Sequence, residues 1–295
     1  MKDNYYSKNL VPKPLLLCSL SLLIVIVIVS YPLIGITGAT TNTSTTITKN
    51  LTIPLTKVTV LASKNVTANT SSATIILNNK GLALASLGRY NESIGFYNKA
   101  LVIDPNSILA LSNKGGALVG LGKYNESIPF LDKALAINPN FVAALNNKGL
   151  ALVGLGKYNE SIPFLDKALA INPNFVAALN LKGNALVGLG KYNESIPFLD
   201  KALAINPNFV AALNNKGIAL ASLGRYNESI LFFDKALAIN PNSVNALAGK
   251  GVDLGALGKY KESIPFFNKA LATDPMNNAA LNGKKLSLQG LNQSK

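Results

Sequence analysis

From Thr74 onward the sequence repeats itself every 34 residues, and this period restricts the possible folds more than any other feature. Three ladders carry it: Gly88, Gly122, Gly156, Gly190, Gly224 and Gly258; Pro105, Pro139, Pro173, Pro207, Pro241 and Pro275; and Tyr90, Tyr124, Tyr158, Tyr192, Tyr226 and Tyr260. Within the unit from Val142 to Phe175, Leu145, Gly149, Leu152, Leu155 and Tyr158 recur at helical spacing, and Ile162, Leu165, Ala168 and Leu169 then do the same. Each unit is therefore a pair of amphipathic helices. The turn at Gly156-Lys157 separates them, and Asn172-Pro173 ends the second, because the residue before a proline is driven out of the helical region. One hairpin cannot bury both its faces, so stability must come from stacking neighbours into a continuous core.

A 34-residue period with these marks resembles the tetratricopeptide repeat family, and the resemblance covers Thr74 to about Leu291. It implies an all-α fold, a right-handed superhelix of antiparallel helix pairs, with units at 74–107, 108–141, 142–175, 176–209, 210–243 and 244–277. Residues 278–295 are expected to form a seventh first helix, capping the C-terminal end, and a polar tail. Gly149 and Ala168 are small where the family brings its two helices together. Leu145, Lys148, Leu152 and Ser161 depart from it, standing where the family places an aromatic, a leucine, an aromatic and an alanine, which predicts softer packing. The lysine recurs as Lys80, Lys114, Lys148, Lys182, Lys216 and Lys250, and its stem can cover apolar surface while its ammonium reaches water. Pro129, Pro163, Pro197 and Pro265 are predicted within the first turn of the second helix, where a missing N–H is tolerated.

The family resemblance implies a concave groove lined by the first helices, which here carry Asn78, Asn79, Asn113, Asn146, Asn147, Asn180, Asn214 and Asn215. An amide both donates and accepts, so such a row can pair with the backbone of an extended peptide without reading its sequence. The arrangement is similar to the asparagine ladder of the O-linked N-acetylglucosamine transferase family. Equally, the amides can bond to the backbone of a neighbouring hairpin. Leu82, Val119, Leu150, Val153, Val187, Ile218 and Val252 surround them and would make the groove mildly apolar. The basic residues with which other members clamp a C-terminal carboxylate are absent from the matching positions, which disfavours chaperone-tail binding.

Composition excludes much else. There is no His and no Trp, and Cys18 is the one cysteine, which removes disulfides, zinc sites and thiol or imidazole catalysis. The repeats are near copies, and none unites a base, a nucleophile and an orienting group. Asp132, Asp166, Asp200 and Asp234 each neighbour a lysine on a helix face and read as solvated charge. No enzyme activity, cofactor or metal is expected. The net charge of +14 is spread along the chain without a basic tract bearing interleaved aromatics, so a nucleic-acid partner is not expected either.

The N-terminal region reads as membrane targeting. Residues 1–14 form a basic flank with Lys2, Lys8 and Lys13, and 15–36 form an uncharged apolar run long enough for a bilayer core. Its length favours a retained anchor; the small residues Gly35, Thr37, Gly38 and Ala39 leave a cleaved signal open. Both place the repeats outside the cytoplasm. Residues 37–73, rich in Thr, Ser and Asn, read as a linker with sequons at Asn42, Asn50, Asn65 and Asn69, which a glycosylating compartment would use. Leu55 to Leu61 alternates weakly, but a lone strand has nothing to pair with. The expected function is a non-catalytic, membrane-tethered scaffold that binds a protein or peptide partner in its groove; the alternative is a structural spacer or coat element without a dedicated ligand.

Overall fold

The computed structural model describes residues 55–293, with side chains from residue 70 onward. Its helices are α1 (Leu55–Ser86), α2 (Tyr90–Ile103), α3 (Ile108–Gly120), α4 (Tyr124–Ile137), α5 (Val142–Gly154), α6 (Tyr158–Ile171), α7 (Val176–Gly188), α8 (Tyr192–Ile205), α9 (Val210–Ser222), α10 (Tyr226–Ile239), α11 (Val244–Ala256), α12 (Tyr260–Thr273) and α13 (Asn278–Gln293). Each odd helix up to α11 pairs with the even helix after it, and successive odd helices also pack side by side, which makes a solenoid of helix pairs.

The turns form for local reasons. Gly122 has φ +72°, and its N–H reaches Val119 O at 2.9 Å while Lys123 N–H reaches Leu118 O at 2.9 Å. These two bonds satisfy the last carbonyls of α3, and the left-handed backbone they require is open to glycine at little cost. Between pairs, Asn138 Oδ1 accepts from Asn140 N–H at 3.0 Å, closing a side-chain turn beside Pro139.

Packing then follows from small residues under large ones. A Cβ built on Gly183 of α7 would lie 2.6 Å from Leu199 of α8, so the helices cross closer than any side chain there allows. Leu199 is fully buried and belongs to a cluster with Leu179, Ala202 and Ala212, the last of them from the following pair. Tyrosine links pairs in the same way: a Cβ on Gly154 of α5 would lie 2.5 Å from Cζ of Tyr124 in the preceding pair.

The recurrent lysine does more than reach water. Lys182 Nζ lies 2.5 Å from Asp166 Oδ1 of the preceding pair and 4.0 Å from the centre of the Phe198 ring in its own. Lys148, Lys216 and Lys250 join Asp132 to Phe164, Asp200 to Phe232 and Asp234 to Phe266. The Lys182 side chain is only 17% exposed, so the contact is partly shielded from solvent. Replacing Lys182 with Met, which keeps the stem and removes the charge, is expected to cost about 1 kcal/mol. Urea unfolding should show this loss at low salt and a smaller one at 1 M salt; equal losses would mean that only the stem matters.

Three expectations need correction. Helix α1 begins at Leu55, inside the span read as linker, so the helical part starts well before Thr74. Pro54 can precede a helix but not continue one, and after it no proline interrupts the Thr, Val, Ser and Asn residues. Their helix propensities are only a few tenths of a kcal/mol below those of better formers, and a helix docked at its C-terminal half propagates readily. Segment 15–36, with Asn42 and Asn50, lies outside the described residues; Asn65 and Asn69 fall on α1 ahead of the described side chains. Second, Pro129, Pro163, Pro197 and Pro265 lie inside helices that open at Tyr124, Tyr158, Tyr192 and Tyr260, one turn deeper than predicted. They are exposed, so water can solvate the carbonyls they leave without an intrahelical donor. Third, Val119, Val153, Val187 and Val252 are buried in the core and do not line a groove.

At the C-terminal end α13 packs as a first helix after α12, and Leu281 and Leu288 are 43% exposed because no second helix among the described residues covers them. Lys285 occupies the register of Gly183, Gly217 and Gly251. A side chain of that size would not fit beneath the large apolar residue that covers the glycine at this register in the described hairpins, as Leu199 covers Gly183, Phe233 covers Gly217 and Phe267 covers Gly251.

Candidate peptide groove

The amides fall at two adjacent positions of the first helices, both filled in α1, α5 and α9 and one of the two in α3 and α7. The first of each couple is buried: Asn78, Asn146, Asn180 and Asn214 are 4 to 8% exposed. Of the second, Asn113, Asn147 and Asn215 are half-buried and Asn79 is exposed. The couples connect helix to helix. Asn113 Nδ2 donates to Asn78 Oδ1 at 2.9 Å, and Asn215 Nδ2 donates to Asn180 Oδ1 at 2.9 Å. In each case the second amide of one helix reaches the first amide of the helix before it.

This register explains where the ladder fails. Opposite Asn146 the next helix carries Leu181, and opposite Asn214 it carries Gly249, so no amide is available to donate. The Oδ1 atoms of Asn146 and Asn214 are accordingly buried without a hydrogen-bond partner. Asn214 instead donates through Nδ2 to Ser243 Oγ at 3.3 Å. At the α3–α5 junction the acceptor is Ser112, whose buried Oγ also has no partner, and Asn147 rests over the bare backbone of Gly116, where a Cβ would lie 2.9 Å from its Nδ2.

The candidate residues therefore divide by what the fold asks of them. Asn78 and Asn180 are acceptors inside the stack. Asn113 and Asn215 give one N–H to that stack, which fixes the orientation of the amide and leaves its Oδ1 and second N–H uncommitted. Asn147 makes no hydrogen bond among the described residues and carries its full donor and acceptor set. One half-buried amide was missed: Asn184 stands at the register of Leu150 and Ile218, a turn beyond the couples, where only comparison of all units at that position reveals it. Leu82, Leu150 and Ile218 remain partly exposed and keep the surface mildly apolar.

Comparison with known proteins agrees with this architecture. Family models described as tetratricopeptide repeat match residues 75–107, 142–175, 176–209 and 210–243, and a second model of the same description matches 109–141. A search of curated proteins finds no match. Among solved structures, a chain of the APC/C hetero-tetramer Cut9–Hcn1 is similar with a TM-score of 0.69 at 17% identity, over 78% of this chain and 45% of that one. A tetratricopeptide repeat protein from Parabacteroides merdae gives 0.58 at 20% identity, over 73% and 84% of the two chains. TTC0263 from Thermus thermophilus gives 0.53 at 21%, over 63% and 99%. At these identities the likeness concerns the fold alone. No helix among the described residues is long and apolar enough to cross a membrane. The matched units and the paired helices that repeat with them show that this chain belongs to the tetratricopeptide repeat family.

Proposed function

We propose that the repeats form a non-catalytic scaffold holding an extended segment of a partner protein along the row of first helices. We further propose that the scaffold stands outside the cytoplasm, tethered through residues 15–36. The observation that carries the first reading is the state of Asn113, Asn147 and Asn215: half-buried amides, two of them pre-oriented by a bond to the neighbouring helix, all with donors and acceptors to spare. An extended backbone offers alternating N–H and C=O groups, which such amides match without selecting side chains. The partly exposed Leu150 and Ile218 would add apolar contact beside them.

The two kinds of amide give a discriminating experiment. Asn147→Ala removes a side chain on which the fold makes no hydrogen-bonding demand, so it should weaken partner binding about threefold to tenfold, from one bond worth about 0.5 to 1.5 kcal/mol, and leave the melting temperature unchanged. Asn215→Ala should weaken binding and also destabilise the free protein by about 1 to 3 kcal/mol, because Asn180 Oδ1 is left buried without its donor. The partner segment is first recovered by crosslinking on intact cells, and its affinity is then measured by calorimetry. Undiminished affinity in Asn147→Ala would remove the groove reading. Protease added to whole cells tests the exterior location, since exposed repeats should be digested before the membrane is breached.

A further inference from the structure

The second helix of each of the first five pairs opens on Tyr-Asn-Glu-Ser, at 90–93, 124–127, 158–161, 192–195 and 226–229. Asn-Glu-Ser is an Asn-X-Ser sequon, the acceptor motif of N-linked glycan transfer. The folded protein accounts for neither end of it. Asn91, Asn125, Asn159, Asn193 and Asn227 are exposed, and their amides make no hydrogen bond among the described residues.

At the other end the serines are fully buried. In the first four motifs the hydroxyl only donates back to the carbonyl of the tyrosine three residues earlier, as Ser127 Oγ does to Tyr124 O at 2.6 Å. Alanine would fill that space without burying a hydroxyl, so packing alone does not call for serine there. Ser229 donates instead to Gly217 O at 2.8 Å. The sixth pair has Lys261 in place of the asparagine, and its Ser263 has a structural partner in Ser287 Oγ at 2.8 Å.

We propose that Asn91, Asn125, Asn159, Asn193 and Asn227 are sites of N-glycosylation, one per hairpin along the edge formed by the turns within pairs. The proposal rests on the reading that the repeats are exported. The donor is a lipid-linked oligosaccharide diphosphate. The Asn Nδ2 attacks C1 of its first sugar, the Nδ2–C1 bond forms, the C1–O bond to phosphate breaks with its electron pair leaving on the lipid diphosphate, and Nδ2 gives up one proton. In the folded chain the sequon is already helical and its hydroxyl is covered, so transfer precedes folding of each hairpin. The acceptor asparagines open the second helices, whereas the groove amides lie midway along the first. Glycans would thus hydrate one edge and leave the groove open.

Tryptic glycopeptide mass spectrometry on the full chain, purified from the cells that make it, tests this. The peptides 90–99 and 226–235 are unique, while 124–133, 158–167 and 192–201 are identical and report together. Each is expected to carry added saccharide mass on Asn, and in Asn227→Gln the added mass on 226–235 alone should vanish. Repeat peptides found only unmodified, beside glycosylated Asn50 or Asn69, would overturn the proposal and leave the exterior reading standing. No glycan anywhere, with repeats that whole-cell protease digests, would also overturn the proposal alone. No glycan with protected repeats would overturn both. As to timing, a purified transferase should modify the synthetic 226–235 peptide and spare the folded, unmodified protein; equal modification of the two would refute transfer before folding.

Discussion

Asp253→Ala is expected to melt well above the natural chain at pH 8, with the gain shrinking steadily as the pH is lowered to 5. Asp253 is fully buried in α11, at the register where the other first helices carry the buried alanines Ala117, Ala151, Ala185 and Ala219. Burial pushes its carboxyl up to about 9, whereas in the unfolded chain it ionises near pH 4, as an ordinary aspartate does, at about 3.9. Between those two values the folded state holds a proton that the unfolded state has lost. Stability therefore falls as the pH rises through this window, by about 1.4 kcal/mol per unit. At pH 7 the accumulated loss is on the order of 4 kcal/mol, and the alanine variant escapes it. Asp253→Asn, which keeps the shape and never ionises, should show the same loss of pH slope. Melting the three proteins from pH 5 to 8 decides the matter, because titrations elsewhere in the chain cancel in the differences. Parallel curves would mean that Asp253 is ionised in the folded protein.

The second large effect is expected at the helix crossing between α7 and α8. Leu199→Ala should cost about 2 to 5 kcal/mol, because a fully buried side chain shared by two pairs is replaced by a cavity. Gly183→Ala alone should cost about 1 to 3 kcal/mol, since its new methyl would stand 2.6 Å from Leu199. Together they should cost less than the sum by more than about 1 kcal/mol, the methyl entering the space the leucine vacated. A solenoid opens in segments, so amide hydrogen exchange resolved to α7 and α8 is the appropriate measurement. Strict additivity would show that the glycine and the leucine do not set the separation of the two helices.

Much of this architecture is legible in the sequence. The period, the hairpin within it and the glycine at its turn follow from local chemistry: helical spacing of apolar residues, a position that needs left-handed backbone, and a proline that ends the second helix. That residues 278 onward form a further helix in the register of the first helices is equally legible.

What the sequence left open were the relations between units. It placed amides on the first helices but not their partners, since whether Asn113 meets Asn78 or a ligand depends on how successive hairpins are offset. That offset also decides that Leu181 and Gly249 leave Asn146 and Asn214 without donors. The recurrent lysine read as a stem with a solvated head, and only stacking brings the carboxylate of one pair to the ring of the next. Helix α1 extends to Leu55 because a docked helix propagates through residues whose own propensities are neutral. Nothing in the sequence marks Asp253 for burial, and the stack of neighbouring helices encloses it fully. Local propensity and period are properties of a segment; hydrogen-bond partners, burial and protonation are properties of what is packed against it, and in this chain the stack alone determines those.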